Sequence, residues 1–128
     1  MSKTQKRLIG DIGENFAASF LTNKGYEIIA KNFQIKTGEL DIVAWHEKPR
    51  FGKTLCFVEV KTRELDDGSA ERATGYNKLQ RMFSAAKAFC LQHKIPTETT
   101  PIQFEHVSVY NQKNQLEPDI RHFVIPVD

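Results

Sequence analysis

Asp41, Glu59 and Lys61 are the residues of this chain whose types and spacing point most directly to chemistry. They lie in two stretches, Gly38-Glu39-Leu40-Asp41 and Phe57-Val58-Glu59-Val60-Lys61-Thr62-Arg63, joined by a segment that reads as a β-hairpin. Paired symmetrically about Arg50, the stretches set Trp45 opposite Leu55, Val43 opposite Phe57, Asp41 opposite Glu59 and Glu39 opposite Lys61. Strand side chains alternate with period two, so all eight then share one face. Directly opposed residues have Cβ atoms about 5 Å apart, where two carboxylates repel unless a cation lies between them. A slip of one residue would scatter the cluster over both faces, so the register is itself a prediction.

Leu55, Cys56, Phe57, Val58 and Val60 form a run that is apolar on both faces, the pattern of a strand inside a sheet. Ionised groups at the end of such a strand incur desolvation unless they are paired or bind metal. Oxygen donors from one or two carboxylates, with water and substrate phosphate completing the shell, suit Mg2+ or Mn2+. Lys61 on the same face would position an attacking water or neutralise charge developing on the phosphate. That chemistry is hydrolysis at phosphorus. The plainer reading is a solvated strand face with an ion pair between Glu39 and Lys61.

The elements that must position this cluster are legible in the pattern. Leu8, Ile12, Phe16 and Phe20 recur every four residues, with Ile9, Gly13, Ala17 and Leu21 beside them, and predict an amphipathic helix closed by Gly25. Gly13 lowers helix propensity, which close packing against a neighbour would explain. Strands follow at Tyr26–Ile35, after the Thr37-Gly38 turn at about 39–45, and at Leu55–Thr62. The basic stretch His46–Thr54 reads as an exposed hairpin loop, and Glu64–Gly75 as a long polar connection. Leu79, Phe83, Ala86 and Cys90, with Met82, Ala85 and Phe89, predict a second helix over about Asn77–His93. Strands at Ile102–Tyr110 and Ile120–Val127, about a turn at Asn111–Asn114, complete the order α-β-β-β-α-β-β. This is an α+β or mixed α/β sheet domain.

With 128 residues the chain fits a single domain, 1–128. Its net charge of +2 is far from that of a strongly basic nucleic-acid binder, so composition alone does not choose a partner. No apolar run reaches the roughly 20 residues of a membrane span, and Asp11 and Glu14 interrupt any signal-peptide core. Cys56 and Cys90 sit in apolar contexts without zinc-ligand spacing and read as reduced core thiols. The expected location is cytoplasmic, without membrane partners.

The two stretches resemble the Asp…Glu-x-Lys signature of the restriction-endonuclease-like nuclease superfamily. Over nearly its whole length the chain resembles the small bacterial YraN-like family, through Gly10, Gly13-Glu14 with Ala17, Gly25-Tyr26, Asn32, Lys78 and Ala85-Ala86. The resemblance implies an α/β fold with a restriction-endonuclease-like mixed central β-sheet flanked by helices. It also implies Asp41 and Glu59 as metal ligands and Lys61 as the catalytic lysine. In archaeal Holliday-junction resolvases a glutamate on the first helix joins the metal site. Glu14 matches that position; its alternative reading is a surface helix carboxylate. Leu40 stands where the superfamily has proline, Gln34 where an arginine is expected, and Phe104-Glu105-His106-Val107 where Arg-Phe-Asp-Val is more usual.

The expected function is a metal-dependent nuclease acting on DNA, with branched or damaged DNA as a candidate substrate and the Val60 carbonyl as a further metal ligand. A symmetric junction as substrate would favour a homodimer. The alternative is a non-catalytic nucleic-acid-binding or partner module that keeps the nuclease fold. Arg63, Lys48, Arg50 and Lys53 are candidate phosphate contacts, or solubilising charge. Lys78 is either near the site or on a plain surface. Trp45 is a base-stacking or a hairpin-packing residue. His46, His93, His106 and His122 show no spacing that suggests a site.

Overall fold

The computed structural model describes residues 3–64, 75–111 and 116–127. The apolar patterns resolve into α1 (Lys3–Asn23), β1 (Glu27–Ile35), β2 (Gly38–Lys48), β3 (Gly52–Arg63), α2 (Tyr76–Gln92), β4 (Ile102–Tyr110) and β5 (Asp119–Ile125). This is an α/β architecture. The strands form one sheet in chain order, antiparallel except for the parallel pair β3–β4, whose connection carries α2. The sheet is therefore mixed, as the sequence predicted.

Each face of the sheet has its own core. Leu40, Val43, Leu55, Phe57 and Phe104 pack against Met82, Ala85, Ala86 and Phe89 of α2. Ile42, Ala44, Cys56, Val58, Val107 and Val109 pack against Ala17, Ala18 and Leu21 of α1. β3 supplies both layers, which explains its unbroken apolar run. Cys56 and Cys90 are both buried free thiols.

The structure corrects three expectations. The buried stripe of α1 is Gly13, Ala17 and Leu21, while Leu8 and Ile12 are exposed. The helix is rotated because Gly13 lies directly against β3. A Cβ there would meet Thr62 Oγ1, so only glycine permits this approach. The segment His46–Thr54 is mostly ladder rather than loop. Pairing continues to Lys48↔Gly52, leaving Pro49–Phe51 as the turn. β5 begins at Asp119 and ends at Ile125. Most of the Glu64–Gly75 connection and of the Asn111–Asn114 turn lies outside the described residues.

Other expectations hold. α1 ends in a Schellman-type cap, with the Tyr26 N–H donating to the Leu21 carbonyl and the Gly25 N–H to the Thr22 carbonyl. The α2 stripe is buried at Met82, Ala85, Ala86, Phe89 and Cys90. No helix among the described residues is long and apolar enough to cross a membrane.

Candidate metal centre

The β2–β3 register holds two of the four predicted pairs, Trp45 opposite Leu55 and Val43 opposite Phe57, and ends before the predicted pairs Asp41–Glu59 and Glu39–Lys61. The four residues that do pair lie on the α2 face. The last paired residues are Ile42 and Val58. Beyond them a side chain takes over from the backbone: Asp41 Oδ2 accepts the Val60 N–H at 2.7 Å. Asp41 is therefore braced against β3 rather than standing freely beside Glu59.

A local inversion of the pleat causes this. Leu40 packs toward α2, yet Ile42, two residues later, packs toward α1. Opposite Asp41 stands Asn32, which drops out of the β1–β2 register between Lys31↔Ile42 and Phe33↔Leu40. Asn32 takes a left-handed backbone, φ 53°. Its side chain hydrogen-bonds to Glu14 of α1. The inversion therefore leaves Asp41 between a carboxylate on each side, Glu14 from α1 and Glu59 from β3.

Glu59 faces α2 and is 1% exposed. Its Oε1 lies 3.3 Å from Lys61 Nζ and 3.5 Å from Lys78 Nζ. Neither contact has hydrogen-bond geometry, and the only group within hydrogen-bonding reach of the buried Glu59 oxygens among the described residues is the Asp41 carboxyl. Burial, then the charge of Asp41, pushes the Glu59 carboxyl up to about 7 against the pull of Lys78 and Lys61. Burial and the Asp41 charge also raise Glu14, while Asn32 and Lys31 oppose the shift. The three carboxylates are thus electrostatically linked through Asp41. Among the described residues, however, no three His, Cys, Asp or Glu side chains are placed to hold one ion. Glu14 stands with Asn32, and the donor set at the centre is the pair Asp41 and Glu59.

That pair fits a divalent cation. Two oxygen donors converge, one of them buried with its hydrogen-bonding capacity unmet, and a positive ion would relieve both deficits. The Val60 carbonyl stands between Glu59 and Lys61 on the same strand.

Glu39 does not pair with Lys61. It receives Lys78 at 2.8 Å on Oε1 and Arg81 at 3.3 Å on Oε2, both from α2. The Lys78 hydrogen bond, more than the charges around it, holds Glu39 below the usual carboxylate range. Gly38 makes this possible, because a Cβ there would collide with the Arg81 carbonyl. The α2 backbone thus lies directly on the start of β2 and delivers Lys78 over the acidic cluster. Lys78 belongs to the centre.

The remaining predicted bases divide. Arg63 is two residues beyond Lys61, with Nη1 donating to the Thr62 carbonyl. Lys48, Arg50 and Lys53 occupy the other end of the hairpin. Seven residues separate Asp41 from Lys48, about 23 Å at strand rise. Lys48 turns inward, 14% exposed, and lies 3.1 Å from Glu105 Oε2. Lys53 sits over the Trp45 ring at 4.7 Å, and Trp45 packs against the α2 core.

A second polar cluster lay unnoticed in the sequence. Glu105, fully buried, accepts hydrogen bonds from the Tyr26 hydroxyl at 2.7 Å and bonds His122 Nε2 at 2.6 Å. Lys48 Nζ donates to the Tyr26 hydroxyl at 2.7 Å, and His46 stacks on the Tyr26 ring. Burial pushes the Glu105 carboxyl up, but His122, Tyr26, Cys56 and Lys48 outweigh it and leave it at about 2. A carboxylate between the apolar residues Phe104 and Val107 of a predicted strand was the available signal, since a buried charge requires partners. Its partners come from four distant segments, which spacing could not disclose.

A profile of "Uncharacterised protein family UPF0102" matches residues 13–109. The chain belongs to the UPF0102 family. It is 36% identical over 121 residues to a UPF0102 protein of Roseiflexus castenholzii, covering 94% of this chain and 93% of the relative. It is 38% identical to one from Caldicellulosiruptor saccharolyticus, covering 87% and 90%. With one from Chloroflexus aurantiacus the identity is 40%, covering 75% and 74%. The UPF0102 profile thus spans both stretches that carry the Asp41, Glu59 and Lys61 cluster.

Proposed function

We propose that this UPF0102 protein is a metal-dependent nuclease that hydrolyses DNA phosphodiester bonds, with branched or damaged DNA as the preferred substrate class. The observation that carries the reading is the buried Glu59, which no nitrogen or hydroxyl donor satisfies, against the Asp41 carboxyl and 3.3 Å from the Lys61 ammonium. Such a set is poorly suited to a merely structural role, because a buried carboxylate next to another carboxylate destabilises the fold. It suits a site that trades stability for charge.

Asp41 and Glu59 would hold Mg2+ or Mn2+, with the Val60 carbonyl as a further donor. The bound ion would act as a Lewis acid on the phosphate. Lys61, held by Glu59 on the same strand face, orients the attacking water and offsets charge developing at phosphorus. Arg63, at the same end of β3, is placed for a neighbouring phosphate. Lys53, six residues and about 20 Å from Glu59 along β3, and Arg50 beyond it in the turn would reach a duplex only roughly 6 base pairs or more from the scissile bond. They serve binding rather than chemistry.

Purified protein incubated with branched, single-stranded and duplex DNA, with and without Mg2+ or Mn2+, tests the proposal. Cleavage should require the metal and disappear in Asp41→Asn and Lys61→Met. Salt-dependent DNA binding without cleavage, unaffected by those substitutions, would establish the non-catalytic binding module instead.

A further inference from the structure

Lys78 makes a set of contacts that phosphate binding does not require. Its ammonium bridges two carboxylates, 2.8 Å from Glu39 Oε1 and 3.5 Å from Glu59 Oε1. Lys61 lies against the same Glu59 oxygen. Two ammonium groups therefore converge on Oε1 of the carboxylate that the proposed function would give to a cation, and neither touches Oε2. Coulomb repulsion between a divalent ion and an ammonium a few ångströms away is large in a partly buried site. Displacement of one ammonium from Glu59 relieves that repulsion.

The partners decide which one leaves. Lys78 already has Glu39 as its closer acceptor, and Arg81 holds Glu39 in place from the other side at 3.3 Å. The contact of Gly38 with the Arg81 carbonyl fixes the α2 backbone that carries both bases. Lys78 can therefore give up Glu59 and keep a full ion pair with Glu39. For Lys61 the only carboxylate within 4 Å among the described residues is Glu59.

Resting on the proposed metal centre, we infer that Lys78 is the resident counter-ion of the metal-free site and Glu39 the acceptor onto which it retreats. Lys78 is then a positioning residue. It supplies positive charge to Glu59 before the ion binds, and it competes with the ion for that carboxylate.

This predicts opposite signs for two neutral substitutions. Without the competing ammonium, Lys78→Met should bind Mn2+ about tenfold more tightly. Glu39→Gln removes the refuge, leaves Lys78 on Glu59, and should weaken Mn2+ binding by a similar factor. The experiment is titration of Mn2+ into the full chain without nucleic acid, followed by calorimetry or by the free Mn2+ spin-resonance signal. Thermal melts of both variants establish that they are folded, and Lys78→Arg should restore the wild-type affinity to within a few fold. Unchanged or weaker binding in Lys78→Met, or a change of the same sign in both variants, overturns the inference. If wild type binds Mn2+ and Asp41→Asn does not, such a failure touches Lys78 alone. If no variant binds Mn2+, the metal centre and the counter-ion role fall together.

Discussion

Glu59 offers the sharpest test of the idea that this fold gives up stability to keep a charge. Its carboxyl rises from an ordinary 4.5 to about 7 on folding, through burial and the neighbouring Asp41. Below pH 4.5 it is protonated in both folded and unfolded chains and contributes nothing to the balance. Between 4.5 and 7 the folded chain holds the extra proton, so stability falls as pH rises, and above 7 the full penalty applies. At about 1.4 kcal/mol for each tenfold change in proton affinity, the penalty is about 3 kcal/mol. Glu59→Gln keeps the shape and removes the charge. It should therefore raise the melting temperature by roughly 10 °C at pH 8 and by little at pH 4.5. Mg2+ should stabilise the wild type at pH 8 and leave the variant unmoved, since a bound cation favours the ionised form. Calorimetric melts over this pH range, with and without the metal, measure all of it. A variant no more stable than wild type at pH 8, or equally stabilised at both pH values, would refute the reasoning.

Other substitutions separate the parts of the account. Glu105→Gln removes a carboxylate held at about 2 by its partners, so it should cost about 3 kcal/mol at pH 7. That loss shrinks as pH falls from 4.5 through 2, the reverse of the Glu59 trend, and denaturant unfolding would show it. Gly13→Ala should cost about 2 kcal/mol despite its better helix propensity, because its Cβ strikes Thr62. Thr62→Ala should recover part of that cost, as a double-mutant cycle would show. Gly38→Ala should cost more, about 3 kcal/mol, with no rescue from a side-chain change, because its Cβ meets the Arg81 backbone carbonyl. Lys61→Met should bind Mn2+ at least as tightly as wild type while lowering any cleavage rate by at least ~100-fold, which single-turnover kinetics would resolve.

The two stretches around Asp41 and Glu59 were readable because strand alternation and a two-sided apolar run fix both register and burial. The predicted pairs Trp45–Leu55 and Val43–Phe57 are present. What the pattern did not show is the break in alternation at Asp41. That depends on the left-handed backbone of Asn32 on a neighbouring strand, a tertiary effect with no periodic signature. The rotation of α1 was hidden for a related reason. Leu8 and Ile12 are more hydrophobic than Gly13 and Ala17, but close approach to Thr62 favours the small residues. Lys78 was singled out without its partners, since helix periodicity says which face is apolar and not which carboxylates lie across from the polar one. Glu105 was passed over for the same reason: Tyr26, Lys48 and His122 meet it only once the sheet is formed.

The central claim is that Asp41 and Glu59 together hold a divalent cation. Crystals of the protein soaked in Mn2+, with diffraction recorded at a wavelength where manganese scatters anomalously, test it most directly. The account predicts one strong peak, about 2.1 Å from an oxygen of each carboxylate, with Lys78 drawn onto Glu39. No peak between these carboxylates at millimolar Mn2+, or an ion bound elsewhere while Lys61 and Lys78 still hold Glu59, would contradict it.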